Sequence, residues 1–538
     1  DRSVSRGLGD VYKRQKYKNL HNIDIKFDAD VITLLVGQNG LGKSNLIEIL
    51  TLIFRDLYMI KEKKNFIESA IKSKLSDYII EYECNGIQLK IDYYDDKLEI
   101  YIKYTEGVYQ AISFAEFARN SDLFLPKRIM GYYSGENKRL EEILNEYTSK
   151  EKKQQLAAYK KGTVSKRLRN IFFSENRHSQ LILFTLILYW NHPIFGAAIN
   201  HLLNNILDLD DMTGFDIKFK SPKFAKLNNL KKRHATLQDY EGEILSTNDY
   251  NKFADTPIFW EIKGPIDPLL RLFLFEYLGN NSCTIYEDNN QEYFVIHEES
   301  LSYDTFIENI YRVFPGPLDF FDALEAASSI GALDELKLNI SKSGDEDFYS
   351  FTELSEGEQQ LISVLGLMTI LRDDQEEVLY LIDEPDTHIN PLWQRNFVKL
   401  LLDNIGDYQH RHMFISTHSP FLVQAYDKDV VDILLFRKDR GDVIIDVADN
   451  TIKNWRIDQV LMSPYFGLKS TRPSNIDEFM DKRRAIIERG EFTPKDKEEL
   501  SELENELGFL PTGETLTELE SMVYIHNAAN RFKQEDKE

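Results

Sequence analysis

The chain has 538 residues, 42% of them apolar and 29% charged, which gives length for two or three domains and excludes a disordered or peptide-scale protein. A formal net charge of −24 excludes a surface that binds nucleic acid all over, so any phosphate contact must be confined to local basic patches. Cys84 and Cys283, the two cysteines, have no CxxC spacing, which argues against a disulfide framework or cysteine zinc site and fits a reducing, cytoplasmic setting.

Residues 1–15 lack an initiator Met and read as a non-native leader, so the expected fold starts at residue 16. Between Tyr17 and Phe27 apolar and polar residues come to alternate, as in a strand with one buried face. Val31 to Val36 is then a largely β-branched apolar run, followed at once by Gly37-Gln38-Asn39-Gly40-Leu41-Gly42-Lys43-Ser44. This is GxxxxGK[ST], the Walker A pattern, after a strand. Apolar residues at 46, 47, 49, 50, 52 and 53 continue at helical spacing, so the loop opens a helix. Glycines let backbone N–H groups curl around phosphate oxygens, and a helix N-terminus adds partial positive charge. Lys43 is expected to reach the β- and γ-phosphates of a nucleotide, and Ser44 to ligate Mg²⁺.

Tyr78 to Tyr82 and Ile87 to Tyr104 read as strands, and 139–210 as helical. The most apolar stretch, Leu181 to Ile199, is broken by Asn191, His192 and Pro193, so it predicts a buried helix and no membrane span. Two segments are strongly basic: 150–169 has eight Lys/Arg and one acid, and 218–234 has seven and none. They fit either a nucleic-acid surface, with Tyr159, Phe219 and Phe224 available to stack on bases, or a solvated helix face and basic loop. Sustained heptads are not found, so the 300 or so residues after the glycine loop predict a compact mixture of α and β pieces.

Leu354-Ser355-Glu356-Gly357-Glu358-Gln359 heads an apolar run, and on spacing alone it also fits a plain capping box from Ser355 to Glu358. Val378 to Glu384 is an apolar run ending in two carboxylates, the pattern of a buried parallel strand delivering acids to a site. Asp383 would hold hydrated Mg²⁺ and Glu384 would polarise the attacking water; a strand ending in merely solvated acids fits the same letters. Met413 to Pro420 sets His418 just past a short strand, where a structural histidine is the plainer alternative. Beyond it the sequence shows no DxD metal pair on a strand end. Asp427-Lys428-Asp429 falls in a polar turn, and HNH or His-rich nuclease patterns are not apparent. Gly490 and Pro494 divide Ile476 to Leu507 into two helices.

Taken in this order, the four motifs resemble those of ABC-type ATPases of the SMC/RecF/OLD group. The resemblance implies an α/β fold: a P-loop ABC-type ATPase head with a large compact α/β insertion between Walker A and signature, and a helical C-terminal tail. ATPase parts are then expected at 16–135 and 346–450, a mainly helical insertion at 136–345, and a helical region at 451–538. It also implies Leu354 to Gln359 as signature, Pro385-Asp386-Thr387-His388 as D-loop and His418 as switch histidine. The cofactors implied are ATP and Mg²⁺, with Gly37, Asn39, Gly40, Gly42, Lys43, Ser44 and Asn45 on the nucleotide, Ser44 and Asp383 on the metal, and Glu384 and His418 catalytic. Ser355, Gly357 and Glu358 would act on a second subunit's nucleotide, so a homodimer or larger assembly follows. Gln88 and Gln110 are candidates for the family's glutamine loop by position alone.

Gly131 to Gly135 and the C-terminal region are similar to the Septu-type PtuA ATPases of bacterial anti-phage systems and to restriction-associated ATPases. That similarity implies a separately encoded HNH-type nuclease governed by nucleotide state. Residues 473–538, with nine bases against seventeen acids and a net of −8, would be either its dock or a helical hairpin over the core. The alternative function is a RecF/SMC-like DNA-repair or maintenance ATPase without a nuclease. A transporter ATPase would need a membrane partner and a short insertion, and the long insertion speaks against it.

Overall fold

A computed structural model of the chain describes residues 8–507 and 519–527, except 13–15, 28–30, 63–74, 76, 105–106, 135–138, 162–169, 224–259, 261, 263, 278–281, 300–302, 345–346, 374–375, 407, 425–429, 448–451, 453–454, 469–470 and 472–475. It divides into two units, 1–454 and 455–538.

The first unit is built on a seven-stranded sheet: β1 (Ile32–Gly37), β2 (Arg128–Tyr133), β3 (Ile171–Ser174), β4 (Val378–Asp383), β5 (Arg411–Thr417), β6 (Val431–Asp439) and β7 (Asp442–Val447). The order is β3-β2-β4-β5-β1-β6-β7, all parallel except the β6–β7 hairpin at one edge. β1, β4 and β5 are buried at every position; β4 accordingly reads as an apolar run up to Asp383, whereas β5 also buries Arg411, His412, Ser416 and Thr417. Helix α1 (Lys43–Glu62) is apolar over several faces, from Leu46 and Ile47 through Phe54 and Leu57, because it is covered on more than one side. Register aligns the carboxyl ends: Asp383 lies opposite both Tyr133 and Ser416, Thr417 opposite Val36, and Phe436 opposite Gly37. Loops leaving those ends therefore meet at one edge, where open α/β sheets bind ligands.

Two antiparallel sheets interrupt this framework in sequence, one mostly between β1 and β2 and one between β3 and β4. Strands Leu8–Tyr12, Tyr78–Cys84, Ile87–Tyr94, Lys97–Lys103 and Gln110–Ile112 form one. Its tight turns, Asn85-Gly86 and Asp95-Asp96, take the left-handed conformation at both positions that two-residue hairpins require. The buried face, with Tyr82, Leu89 and Ile91, joins α1 in one core, and Phe54 meets Tyr82 edge-on at 5.4 Å. Leu8–Tyr12, inside the segment expected to stand outside the fold, pairs with Tyr78–Cys84. The expected strand at 17–27 is instead the short pair Lys16–Tyr17 and Leu20–His21; Asn22 turns left-handed, while Ile23, Ile25 and Phe27 still bury.

The span 136–345, expected to be mainly helical, also contains most of a five-stranded antiparallel sheet ordered 283–288, 291–298, 209–220, 333–342 and 348–350. Its signal was the period of two at Phe215, Ile217 and Phe219, buried, against Asp216, Lys218 and Lys220 on the other face. Phe215 and helices Asn176–Leu188, Ile266–Tyr277 and Pro317–Ser329 meet in an aromatic core at Phe184, Phe273 and Phe320, with centroids 5.2 to 6.4 Å apart. Helix Asn176–Leu188 ends before the Asn191–Pro193 break, and among the described residues no helix is long and apolar enough to cross a membrane.

The second unit contains helices Ile457–Met462, Asp477–Arg489 and Pro494–Leu507, and a helix at 519–527. Gly490 caps the second of these in the left-handed conformation, and Phe479, Ile486, Leu500, Leu519 and Val523 form the core.

His412 on β5 is buried, with Nε2 3.1 Å from the Thr33 hydroxyl of β1 and no partner for Nδ1 among the described residues. Burial pushes its pKa from 6.5 down to about 4, so between those values the unfolded chain takes up a proton that the folded chain refuses. Stability should therefore fall as pH drops through this window, by about 3 kcal/mol at its lower end. Urea unfolding of His412→Gln at pH 4.5 and pH 7.5 should show a smaller acid loss than wild type; equal losses would place the acid sensitivity elsewhere.

Candidate active site

The glycine loop between β1 and α1 is shaped by close approach. A Cβ on Gly37 would stand 2.5 Å from the Phe436 carbonyl oxygen; one on Gly42, whose φ is +99°, would stand 2.6 Å from the Leu20 side chain. Neither position tolerates a side chain. Asn19, which sequence reasoning missed, clamps the loop: its Nδ2 donates to the Gly40 carbonyl at 2.7 Å, and its Oδ1 accepts from Asn45 Nδ2 at 2.6 Å. Asn45, expected on the nucleotide, is thus engaged with Asn19. Asn39 and Gly40 lie exposed at the loop tip.

Lys43 starts α1, and its ammonium donates to the carbonyls of Gly37 at 2.8 Å and Gln38 at 3.2 Å. Burial lowers its pKa to about 8, against the raising fields of Glu384, Asp383 and Asp386. Asp383 ends β4, almost fully buried. Burial raises its pKa to about 6, opposed by hydrogen bonds from Ser416 and Ser44 and by the Lys43 charge. Lys43, Ser44 and Asp383, far apart in sequence, therefore share one site.

Glu384 adopts φ +50°, unusual for a residue with a side chain, and its N–H donates to the Ser416 carbonyl at 3.1 Å and the Ser416 hydroxyl at 3.0 Å. Its Oε1 lies 3.0 Å from His418 Nε2, and that hydrogen bond holds its carboxyl below the usual glutamate range. The Ser416 hydroxyl thus donates to the Asp383 carboxylate and accepts from the Glu384 backbone, a role nothing in its sequence neighbourhood announces. Asp386 is buried beside Thr417, its pKa raised by burial, and its Oδ1 has no partner among the described residues. Three carboxylates around one lysine, two of them pushed toward protonation by burial, suit a hard divalent cation, which relieves that cost and prefers oxygen ligands. Ser44 and Asp383 could hold it, and the loop with Lys43 could hold a polyphosphate.

Ser355 caps helix Glu356–Leu361 and Glu358 closes the capping box. Burial would raise the Glu358 pKa, yet Lys342, 2.6 Å away, and Ser355 hold it below the usual range. A Cβ on Gly357 would stand 2.6 Å from the His388 carbonyl oxygen, and His388 Nδ1 lies 3.1 Å from Glu356, so the 354–359 turn, expected as signature, rests on the 385–388 turn, expected as D-loop, of the same chain. Among the described residues, no hydrogen bond or ion pair links Ser355, Gly357 or Glu358 to the Lys43–Asp383 centre. Gln88 and Gln110 lie on the antiparallel sheet, whereas the strand beside β4 ends in Tyr133, and Ser134 N–H donates to the Asp383 carbonyl at 3.3 Å. Of the basic segments, 162–169 and 224–234 lie outside the described residues, 150–161 is helical, and Lys218 and Lys220 both pair with Asp334. Asp427 and Asp429 also lie outside them.

The AAA ATPase domain family matches residues 15–423. Septu protein PtuA of Bacillus mycoides (strain KBAB4) is 26% identical over 213 residues, 37% of this chain and 29% of that protein. Septu protein PtuA of Bacillus thuringiensis is 25% identical over 236 residues, 41% and 52% respectively. The "Retron Vc95 probable ATPase" of Vibrio cholerae serotype O1 biovar El Tor is 27% identical over 161 residues, 28% and 27%. The matches thus span from about a quarter to about half the length of these curated relatives. Among solved structures, the SMC head domain from Thermotoga maritima aligns over 82% of this chain and 99% of its own, at 13% identity and a TM-score of 0.31.

Because the Ser416 hydroxyl bonds the Asp383 carboxylate and the Glu384 backbone, and touches neither the glycine loop nor Lys43 in any hydrogen bond among the described residues, Ser416→Ala should slow ATP turnover about tenfold or more with little change in ATP affinity. Steady-state ATPase assays with equilibrium nucleotide binding check this; undiminished turnover would mean the serine only fills space.

Proposed function

The chain belongs to the AAA ATPase domain family, and on that premise we propose that it is the ATP-binding and ATP-hydrolysing regulatory subunit of a bacterial anti-phage defence complex. Two copies meet through their ATPase heads, and nucleotide state governs a separately encoded HNH-type nuclease. The observation carrying the ATPase part is the meeting of Lys43, Ser44, Asp383, Glu384 and His418 at the carboxyl ends of adjacent strands.

When bound, ATP and Mg²⁺ supply the phosphoanhydride to be cleaved and the charge that draws electron density from it. Lys43 exchanges its two loop carbonyls for phosphate oxygens, and the first-turn amides of α1 face the same anion. Ser44 and Asp383 would hold the metal. Glu384, kept ionised by His418, orients the attacking water and receives its proton. The histidine at 3.0 Å keeps that carboxylate in place.

The packing of Gly357 on the His388 carbonyl supports action across a dimer, because it presents the signature turn and D-loop as one surface for a second copy. The defence setting is supported by the Septu and retron names of the relatives and by the similarity at Gly131 to Gly135. With γ-phosphate contacts made only in the closed dimer, nucleotide has the differential affinity a switch needs.

Lys43→Ala should abolish ATP binding. Glu384→Gln should bind ATP, hydrolyse it at least about a hundredfold more slowly, and elute with ATP as a dimer on size exclusion. ATP binding by Lys43→Ala, or an ATP-loaded monomer of Glu384→Gln, sinks the respective parts. For the nuclease arm, a neighbouring HNH protein should co-purify with the chain and be lost on deleting 473–538; undiminished capture would move the dock off the tail.

A further inference from the structure

Helix Pro391–Ile405 leaves the D-loop directly, capped by Asn390, whose side chain accepts from Trp393 N–H at 2.9 Å. In its first turn stands Gln394, half-buried. Its amide nitrogen donates to the carbonyls of Asp386 at 2.9 Å and Ile389 at 3.0 Å, and its Oε1 accepts from the Ser419 hydroxyl at 2.8 Å. Both amide hydrogens and the carbonyl oxygen are used. A flipped amide would set oxygen against two carbonyls, so the network fixes its orientation.

Ser419 is buried; its Oγ also accepts from Phe421 N–H at 3.2 Å, and its own N–H donates to Thr417 Oγ1 at 2.9 Å. Thr417 in turn hydrogen-bonds the Asp386 carboxylate. Both neighbours of His418 are therefore tied to the D-loop, Thr417 through Asp386 and Ser419 through Gln394. His418 itself is held on one further group, Glu384, at 3.0 Å.

We infer that Gln394 is a positioning residue for hydrolysis: it locks the 417–421 turn to the 385–390 turn so that His418 stays seated on Glu384. Any displacement of the D-loop then moves the histidine with it. Since the signature turn rests on His388, the same link carries that displacement from Gly357 to the catalytic pair. This inference rests on the ATPase reading of the site.

Gln394→Glu keeps the size and the acceptor for Ser419 but turns the donating nitrogen into an oxygen facing two carbonyls; Gln394→Met removes all three bonds at similar volume. Steady-state ATP turnover of the full chain, with nucleotide affinity from a fluorescent ATP analogue, is measured for wild type, both variants, His418→Ala and the double variants. Turnover should fall about tenfold or more, with affinity held within about threefold, since orientation and not binding is lost. In the His418→Ala background the Gln394 changes should cost less than about twofold, because a residue acting through the histidine has nothing left to act on. Unchanged turnover in either folded variant, or losses that multiply with His418→Ala, overturns the inference alone. A wild-type chain that never turns over ATP sinks the ATPase reading and this inference together.

Discussion

Asp383 is a carboxylate taken out of water at the end of a fully buried strand, and the rest of the site compensates for its burial. Desolvation raises its pKa, while the hydroxyls of Ser44 and Ser416 and the charge of Lys43 pull the other way. The balance leaves the group at about 6. A residue so placed is costly to leave without a cation, and the neighbours it recruits are the ones proposed to hold phosphate and metal.

That constraint reaches outward through the parallel sheet. Asp383 and Ser416 stand opposite each other in register, with Thr417 opposite Val36 on the next strand, so three parallel strands end at one edge. Groups from the turns that follow then bond across: the Glu384 N–H to Ser416, the Asp386 carboxylate to Thr417, the Gln394 amide to Ser419. The turn after β4 has its backbone set by Glu384 in a left-handed conformation, a local cost that the two Ser416 contacts sustain. The helix Glu356–Leu361, the 385–390 turn and the 417–421 turn are linked by direct contacts, the physical continuity that coupling between them would need.

The two antiparallel sheets serve different surroundings. One buries its apolar face against α1 and so stiffens the helix that presents Lys43 and Ser44. The other has its own aromatic core with three helices. Its outer face carries Lys218 and Lys220, but Asp334 on the neighbouring strand neutralises part of that charge, which weakens the case for a nucleic-acid surface there.

What the sequence alone determined was chemistry held in short contiguous runs. Glycines at 37, 40 and 42 ahead of Lys43, an apolar run closing on Asp383 and Glu384, and a histidine one residue past a strand all constrain their own neighbourhoods, so local spacing disclosed them. The α/β class was implied by the resemblance that these runs carry. Tertiary structure alone decided which distant residues touch. Asn19 on Gly40, Ser416 between two acids, and Gln394 between two turns are ordinary polar residues whose roles come from strand order and register. The sheet within 136–345 was missed for a related reason: its strands pair across long separations, and the alternation at 215–220 is indistinguishable from a solvated edge until Leu333–Lys342 and Gln291–Glu298 close on either side. Local sequence encodes what a residue can bond to; only the packed chain brings the partner within 3 Å or so.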